Sequence, residues 1–247
     1  MLKKERHAFI LKQINIHNKV LSSDLSSDLS VSEDTVRRDL IELADTGKII
    51  KVHGGALSKS FHFPFQHLEV YAHEAKKIIA HKTLKLLKDG MVVLTGGGTT
   101  MIELARAIPE DLEITFFTIS PLVALELAEH PKVTVILIGG QFNKGSQIIV
   151  GSKAVAELCE LKVDLCLLGA NGIDVKNGIT DSDWEVVQVK KAMLKTTDKA
   201  AVLCIAEKLD SIQRLRVCNI NRIQYLITDL DKDNKINIPY INDVKVL

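Results

Sequence analysis

The chain has 247 residues and a formal net charge of +1, from 32 basic and 31 acidic side chains. This balance excludes recognition of nucleic acid through bulk positive charge, so any affinity for DNA has to come from local placement of charged side chains. No stretch carries the ~20 consecutive apolar residues of a membrane helix, and the first residues lack the apolar segment of a signal peptide. We therefore expect a cytoplasmic protein without a membrane partner.

The cysteines and histidines follow no spacing that is typical of metal ligands. Cys166 and Cys204 lie within apolar runs, which is typical of buried free thiols in a reducing compartment. We therefore expect neither a metal site nor a cofactor.

The spacing of apolar residues changes along the chain. Residues 1–57 carry short helical patterns, whereas residues 75–247 alternate strand-like and helical patterns. The segment between them, residues 58–74, contains Pro64 and a cluster of aromatic residues, and we interpret it as a linker. The pattern predicts two domains joined by this linker.

Two short helices are predicted at the start of the chain. In the first, Ile10 and Ile14 belong to an apolar stripe. The second is expected to be capped by Ser22 or Ser23, with Leu25 facing inward.

A third helix is predicted after Ser32, whose hydroxyl suits the N-cap position. Val36, Leu40 and Leu43 recur at i, i+4 and i+7, so they are expected to face the core. Gly47 is expected to end the helix, because glycine tolerates the left-handed conformation common just after a helix.

A basic strand follows the third helix. Residues 48–53 alternate apolar and polar side chains, and Gly54 and Gly55 interrupt the alternation. This order of elements is that of a winged helix-turn-helix, whose last helix enters the major groove of DNA. The alternative is a solvated amphipathic helix in a protein–protein module, because residues 1–57 hold nearly equal numbers of basic and acidic side chains.

The predicted DNA contacts lie on the exposed face of the third helix and on the wing. A helix that buries Val36 exposes Arg37 and Arg38, whose guanidinium groups suit guanine edges or phosphates. Basic side chains on the wing suit phosphate or minor-groove contact. The expected DNA-binding residues are Ser32, Thr35, Arg37, Arg38, Lys48, Lys51, His53 and Gly54.

The stretch VSEDTVRRDLIELADTGKIIKVHGGA, residues 31–56, resembles the signature of the DeoR family of bacterial repressors. That signature runs V-S-x-x-T-[IV]-R-R-D-L and ends in a wing with H-G-G-A; Glu5 and Arg6 also match the family's opening. The resemblance continues along nearly the whole chain. It implies a homo-oligomer, dimer or tetramer, that represses by binding double-stranded operator DNA. It also implies a C-terminal sensor domain, similar to ribose-phosphate isomerase, that binds a small phosphorylated metabolite.

The second part of the chain is predicted to form a mostly parallel, Rossmann-like α/β sheet with helices on both faces, because strand-like runs alternate with helical patterns. The predicted strands are residues 91–95, 112–118, 133–138, 163–169, 200–206 and 223–228. The predicted helices are residues 101–108, 121–130 and 186–195.

Loops rich in glycine or polar residues follow five of the predicted strands, and the carboxyl ends of parallel strands meet at one edge of a sheet. These loops are residues 96–100, 118–120, 139–141, 169–172 and 207–208. Glycine N–H groups, the hydroxyls of Thr99 and Thr100, and a helix N-terminus favour an anion there. The first loop is neither a Walker loop nor G-x-G-x-x-G, and plain turn geometry is the alternative.

The expected effector-binding residues combine this edge with the family resemblance, which also includes the stretch before Asp181. They are Gly97, Gly98, Thr99, Thr100, Ser120, Gly139, Gly140, Asn171, Asp181 and Lys208.

Three positions depart from the family's pattern. Gly96 stands where relatives often have Asp, Ile119 where they have Asn, and Ile205 where they have Asp. The loss of a buried hydrogen-bond partner costs ~1–3 kcal/mol, so three losses are expected to change ligand preference. An anionic effector other than a standard sugar phosphate is therefore favoured.

Four neighbouring side chains are expected to have structural roles. Asp183 is expected to interact with the dipole of a following helix, and Trp184 to pack. Lys190 and Lys191 are expected on a solvated face, from which one of them could reach an anion.

These features favour a DNA-binding repressor of carbohydrate or related metabolic genes that is relieved by a small phosphorylated metabolite. One alternative is an effector-independent repressor, which the three apolar or missing side chains would allow. Another is an isomerase-like enzyme with a helical appendage. An isomerase needs a carboxylate base, and Gly96 and Ile205 remove two acidic positions, so we expect no catalytic residues.

Overall fold

The computed structural model describes residues 1–17, 19–58, 71–231 and 233–247, without the side chain of Ile238. The chain divides into two compact units, Met1–Tyr71 and Ala72–Leu247. Most of the predicted linker, residues 58–74, lies outside the described residues. Among the described residues, no helix combines the length and the apolarity needed to cross a membrane.

The first unit is a three-helix winged domain with a small antiparallel sheet. Its strands follow the order β1-β3-β2. Its elements are α1 Lys3–His17, β1 Lys19–Leu21, α2 Ser22–Leu29, α3 Glu33–Asp45, β2 Ile49–Val52 and β3 Gly55–Ser58. The predicted winged helix-turn-helix is confirmed, and its wing is the β2–β3 hairpin.

The helix ends of this unit agree with the sequence at α3 and differ at α2. Ser32 Oγ accepts a hydrogen bond from the Thr35 N–H, and Gly47 has φ 70°, as expected for the residues before and after α3. The prediction that Ser22 or Ser23 caps α2 is wrong, because the N-cap is Leu21. The Ser22 N–H instead donates to Gly54 O at 2.8 Å, which ties the start of α2 to the wing turn.

A buried ion pair joins α1 to α3. Asp39 Oδ2 lies 2.5 Å from Arg6 Nε, and Asp39 Oδ1 accepts from Arg6 Nη2 at 2.9 Å and lies 3.0 Å from His7 Nε2. Burial alone would raise the pKa of Asp39, but the hydrogen bonds from Arg6 and His7 hold it below its usual range. Asp39 therefore holds α3 against α1, while the neighbouring Arg37 and Arg38 remain exposed.

The second unit is a three-layer α/β domain. Its helices are α4 His73–Leu84, α5 Thr99–Arg106, α6 Pro121–Leu127, α7 Ser152–Cys159 and α8 Trp184–Lys195. Its strands are β4 Val92–Thr95, β5 Ile114–Thr118, β6 Val133–Leu137, β7 Gln141–Asn143, β8 Ile148–Val150, β9 Leu165–Gly169, β10 Gly172–Asp174, β11 Gly178–Asp181, β12 Ala200–Leu203, β13 Leu215–Cys218, β14 Tyr225–Ile227 and β15 Lys245–Val246.

Seven of these strands form one sheet in the order β15-β14-β12-β9-β4-β5-β6, and every neighbouring pair is parallel. The predicted α/β fold is therefore confirmed. The central strand β9 is apolar and buried from Leu165 to Leu168, which is typical of a parallel strand covered on both faces. The carboxyl ends of β4, β5, β9 and β12 consequently share one edge, which we call the rim.

Two small sheets were not predicted from the sequence. The hairpin β7–β8 follows β6, and the antiparallel sheet β10-β11-β13 follows β9. Their strands have three or four residues each, too few to show a clear alternation. The strand predicted over residues 200–206 ends at Leu203, and Ala206–Lys208 form a 3-10 turn.

Replacement of Asp39 by alanine is expected to destabilise the first unit by about 2–3 kcal/mol. The cost lies below the ~3–5 kcal/mol of a fully buried pair, because the Arg6 side chain stays 14% exposed. Hydrogen exchange of α3 amides in the full chain measures the loss. Since the pKa of folded Asp39 is lowered, this stabilisation is present above the unfolded pKa and is lost as the pH falls through the folded value.

The control is Glu42→Ala, which removes an exposed carboxylate of α3 that pairs with Lys3. Exposed pairs contribute less than about 1 kcal/mol, so α3 exchange should hardly change. Equal protection of α3 in the Asp39→Ala variant and in the wild type would contradict the role assigned to this pair.

Candidate DNA interface and anion-binding rim

The first turns of α3 present two exposed guanidinium groups. The side chains of Arg37 and Arg38 are 67% and 76% exposed. Both pair with Asp34: Arg37 Nη2 lies 3.0 Å from Asp34 Oδ1, and Arg38 Nη2 lies 2.6 Å from Asp34 Oδ2. Exposed pairs of this kind are weak, so both arginines can exchange Asp34 for acceptors on DNA.

The start of α3 adds two hydroxyl groups. Ser32 Oγ and Thr35 Oγ1 lie 2.9 Å apart, and Ser32 is exposed. A helix N-terminus with hydroxyl groups suits a phosphate oxygen. Ser32 thus has a capping role that does not prevent contact with DNA.

The wing carries the remaining predicted DNA contacts. Lys48, Lys51, His53 and Gly54 are all exposed. Gly54 has φ 73°, a left-handed conformation that favours glycine at the tip of the β2–β3 hairpin. The wing therefore holds its basic side chains in solvent next to a tight turn.

At the rim, the glycine loop after β4 leads directly into α5. Gly98 is the N-cap residue of α5, with φ 106°. Because glycine has no side chain, no side-chain hydrogen bond caps this helix. Thr99 is buried and Thr100 half-buried in the first turn of that helix. The Gly97 Cα is closely surrounded, since a Cβ there would lie 2.4 Å from Ile148 Cγ2 and 3.2 Å from Ser120 Cβ. The structure therefore brings this loop and the loop after β5 into contact.

The loop after β9 holds a second group of predicted residues. Asn171 Nδ2 donates to Asp181 Oδ1 at 3.0 Å, and Lys190 Nζ donates to Asp181 Oδ2 at 2.7 Å and to Gly169 O at 2.8 Å. Burial alone would raise the pKa of Asp181, but the charge and hydrogen bond of Lys190 hold it below its usual range. Gly169 also borders the first loop, because a Cβ there would lie 3.6 Å from Gly97 O.

Lys208 reaches the same loop from the 3-10 turn Ala206–Lys208. Its Nζ donates to Ala170 O at 3.0 Å. Burial lowers the pKa of Lys208, and the nearby Lys190 ammonium lowers it further. The loop after β9, which borders the glycine loop before α5, therefore binds two ammonium groups.

Lys76 is a buried lysine that the sequence pattern did not reveal. It lies on α4, only 7% exposed, on the same face as the buried residues Ile79, Ala80 and Thr83. Burial, reinforced by the Lys208 ammonium, lowers the pKa of Lys76 to about 7. Lys76 shares a helical spacing with Ile79, Ala80 and Thr83, which would have indicated that it is buried. This signal was not used, because α4 was not predicted as a helix.

Three other predicted residues have structural roles in their loops. Ser120 Oγ caps α6 by accepting from the Val123 N–H at 3.4 Å. The Gly139 N–H donates to Glu157 Oε2 at 3.0 Å. Gly140 has φ 150°, and a Cβ there would lie 2.9 Å from Val150 O. Helix capping and loop geometry therefore explain why these three residues occur here. Contact between these residues and an effector stays a prediction.

The three departures from the family's pattern occupy buried positions. Ile119 and Ile205 are 1% and 3% exposed, and Ile119 belongs to the main hydrophobic core. A Cβ on Gly96 would make ordinary contacts, the nearest 3.6 Å from Leu167 O. The two isoleucines therefore add to the core beneath the rim.

Two expectations for the region around α8 are wrong. Trp184 is 63% exposed, so it does not pack, because it is the first residue of α8 and Val186 and Val187 take the buried face. The Lys190 side chain is 13% exposed, because its ion pair with Asp181 holds it in the rim. The neighbouring Lys191 is exposed as expected.

Asp183 is confirmed at the start of α8. Its Oδ1 accepts from the Glu185 and Val186 N–H groups at 3.0 Å and 3.3 Å. Within the described ranges, no group of three or more His, Cys, Asp or Glu side chains is arranged to hold a metal ion.

Comparison with known families agrees with both units. The DeoR-like helix-turn-helix domain matches residues 6–61, and the DeoR C-terminal sensor domain matches residues 71–230. The chain belongs to the DeoR family. It is thus a transcriptional regulator with a DNA-binding unit and a sensor unit, as the signature in residues 31–56 indicated.

Relatives of this DeoR-family chain align along nearly its whole length. It is 31% identical to the uncharacterized HTH-type transcriptional regulator YulB of Bacillus subtilis, over 100% of this chain and 96% of the relative. It is 30% identical to the transcriptional repressor GlcR of Bacillus subtilis, over 93% and 89%. It is 29% identical to the L-fucose operon activator of Escherichia coli, over 92% and 96%.

Among solved structures, the chain is similar to a D-ribose-5-phosphate isomerase in complex with phospho-erythronic acid. The sequence identity is 21% and the TM-score is 0.40, over 55% of this chain and 53% of that chain.

Proposed function

We propose that this DeoR-family regulator represses carbohydrate or related metabolic genes and is relieved when a small phosphorylated metabolite binds at the rim. The observation that supports this most strongly is the convergence of Lys190 and Lys208 on the loop after β9, beside the uncapped start of α5. Ammonium groups, threonine hydroxyls and helix N–H groups are the donors that phosphoryl groups take.

In the proposed complex, the phosphoryl group lies against the first turn of α5. Thr99 and Thr100 donate from their hydroxyls, Gly97 and Gly98 from their backbone, and Lys208 neutralises charge. Asn171 and Asp181 lie next to this position and would orient the remainder of the metabolite. Ser120, Gly139 and Gly140 complete the expected set at the adjoining loops.

In the proposed DNA complex, α3 enters the major groove. Arg37 and Arg38 leave Asp34 for base edges or phosphates, and Ser32 and Thr35 contact phosphate. The wing residues contact the backbone or the minor groove; they are Lys48, Lys51, His53 and Gly54.

Two copies of the chain would engage two half-sites, so we propose a homo-oligomer, either dimer or tetramer. Half-site spacing is a geometric requirement, and a small change in how two copies are held costs operator affinity. Repression needs only occupation of a promoter, which DNA binding itself supplies. Activation, as in the fucose operon relative, would need a further surface for the polymerase.

The isomerase alternative is less well supported by the rim. A general base works best with a pKa near the operating pH. Both oxygens of Asp181 are occupied, and its pKa is held below the usual range. The buried Cys204 thiol is no better as a nucleophile, since burial raises its pKa to about 12. We therefore propose that the chain is not an enzyme.

A thermal-shift screen against phosphorylated sugars, their unphosphorylated parents and inorganic phosphate tests the sensor. At ~100 Kd a ligand stabilises by about 2.7 kcal/mol, so a phosphorylated compound should raise Tm by several degrees in a saturable way. The double variant Thr99→Ala, Thr100→Ala should lose this shift relative to its own ligand-free Tm.

The matched control is Thr115→Ala, Thr134→Ala, which removes two hydroxyls from β5 and β6 and should leave the shift intact. A protein that binds its operator but shows no shift with any compound would instead be an effector-independent repressor.

Removal of either arginine from α3 is expected to weaken operator binding. The duplex is one selected by the wild-type protein from random sequences, and fluorescence anisotropy gives Kd at several salt concentrations. Arg38→Ala should cost about 1–3 kcal/mol if it reads a base, or lower the salt slope by about 1 if it contacts phosphate.

Lys88→Ala is the control, because Lys88 is an exposed cation of the second unit. Unchanged affinity and salt dependence in both Arg37→Ala and Arg38→Ala would refute the assignment of α3 as the recognition helix.

A further inference from the structure

The strand β6 forms one edge of the seven-stranded sheet, and among the described residues it pairs with β5 alone. Its sequence, VTVIL, has no charged side chain, no proline and no glycine. Its register with β5 runs without a shift from Val133 to Leu137, so no bulge bends the strand away. Edge strands are normally protected by charge, proline or a bulge, so an edge without these devices is open to pairing with another strand.

The opposite edge of the same sheet is protected. It is formed by β15, which has only two residues, Lys245 and Val246. A very short strand and a lysine side chain are both devices that prevent edge-to-edge pairing. Of the two edges that the described residues give this sheet, β6 is therefore the one suited to a partner strand.

The backbone of β6 turns alternate residues towards β5. The Ile138 N–H donates to Thr118 O at 2.9 Å. In a parallel ladder with this register, the N–H and C=O groups of Ile136 also point to β5, whereas those of Val135 and Leu137 point away from it. The outer side of β6 therefore presents backbone donors and acceptors to which the described residues bring no partner strand.

The side chains at the end of β6 are exposed on both faces of the sheet. Ile136 and Leu137 are 39% and 45% exposed, and consecutive residues of a strand point to opposite faces. Their register partners on β5, Phe117 and Thr118, are half-buried and buried. A further strand beside β6 would cover its two side chains in the way that β6 helps to cover those of β5.

We propose that β6 pairs with β6 of a second copy of the chain, antiparallel about a two-fold axis at Val135. This inference rests on the proposed homo-oligomer and names the surface through which it forms. The axis places Val135 opposite its own counterpart and Leu137 opposite Val133, so outward-facing N–H and C=O groups meet each other. Such a pairing is closed, because each copy uses the same surface once.

The charges at the two ends of β6 favour a second copy as the partner. Lys132, directly before the strand, is exposed. Beyond the other end, Gly139 N–H donates to Glu157 Oε2 at 3.0 Å, and the Glu157 side chain is 40% exposed. Lys153 Nζ lies 3.9 Å from Glu157 Oε1, which leaves the carboxylate able to accept a second cation. The proposed pairing brings Lys132 of each copy opposite Ile138 of the other, next to this carboxylate.

Opposite charges therefore meet at both ends of the paired strands. Between these ends the five residue pairs are apolar or hydroxyl-bearing, so no like charges face each other. A strand of unrelated sequence would match the backbone of β6, but it would match these end charges only by coincidence.

Sedimentation equilibrium of the full chain with Val135→Pro tests the pairing. Proline lacks the N–H group, and at Val135 that group points away from β5, so the edge of the sheet tolerates the change. The dissociation constant of the assembly should rise at least about tenfold. Leu137→Lys is a second variant that keeps the backbone intact. It places a charge in the proposed interface and should weaken association in the same direction.

The matched control is Val246→Pro, which makes the same change at the opposite edge. In β15 the N–H groups of Lys245 and Leu247 donate to β14, so the Val246 N–H also points outward. Its dissociation constant should equal that of the wild type. Thermal unfolding of each variant shows whether it is folded.

Hydrogen exchange read at single residues identifies the surface that associates. In the associated wild type, the amides of Val135 and Leu137 should be protected. Dilution below the dissociation constant should expose both amides, while the Ile136 amide stays protected by its bond to β5.

Free exchange of the Val135 and Leu137 amides in an associated wild type would overturn this inference and leave the proposed homo-oligomer standing. An unchanged dissociation constant in both Val135→Pro and Leu137→Lys would do the same. Protection of Val135 that persists in the diluted monomer would also overturn it, and would show that another segment, such as residues 59–70, occupies the edge.

A wild type that is monomeric at every concentration would overturn both this inference and the proposed homo-oligomer. The thermal-shift screen and the operator titration would still decide the sensor and DNA-binding parts of the proposed function, because each can be measured on a monomer.

Discussion

The carbonyl groups at the end of β9 determine how the rim is built. β9 lies at the centre of the seven-stranded sheet between β4 and β12, and its residues Cys166 to Leu168 are almost completely buried. Because this strand cannot shift, Gly169 O and Ala170 O are fixed, and they accept Lys190 and Lys208. Two cations, one from α8 and one from the 3-10 turn Ala206–Lys208, are thereby held at one place.

The DNA-binding unit depends on a comparable division between buried and exposed charge. Asp39 faces inward and binds Arg6, whereas Asp34, five residues earlier, is exposed and pairs with Arg37 and Arg38. The first carboxylate fixes the position of α3. Asp34 only pairs with two exposed arginines, which DNA would bind more strongly than Asp34 does. One short helix therefore has a fixed buried side and an exposed side whose arginines can change partner.

Sequence reasoning identified the elements that have long periodic patterns. The stripe of Val36, Leu40 and Leu43 predicted α3, and the apolar runs predicted the central strands, because burial imposes their spacing. The predicted N-cap of α2 was wrong because α2 begins directly after β1. The three residues of β1 are too few to show an alternation of apolar and polar side chains.

The rim was predicted only in part for a related reason. Its loops follow strands and could be found by position, whereas Lys190 reaches the rim from α8. Its direction depends on how α8 packs against the sheet. An isolated lysine in a helix resembles a solvated one until tertiary contacts show that it is buried.

The most direct test of the account is whether the two units communicate. Fluorescence anisotropy would measure the Kd of the full chain for its selected operator with and without a saturating phosphorylated compound that raises Tm. The account predicts that the compound weakens operator binding at least about tenfold, a coupling of about 1.4 kcal/mol. Unchanged operator affinity while the compound demonstrably occupies the sensor would contradict it.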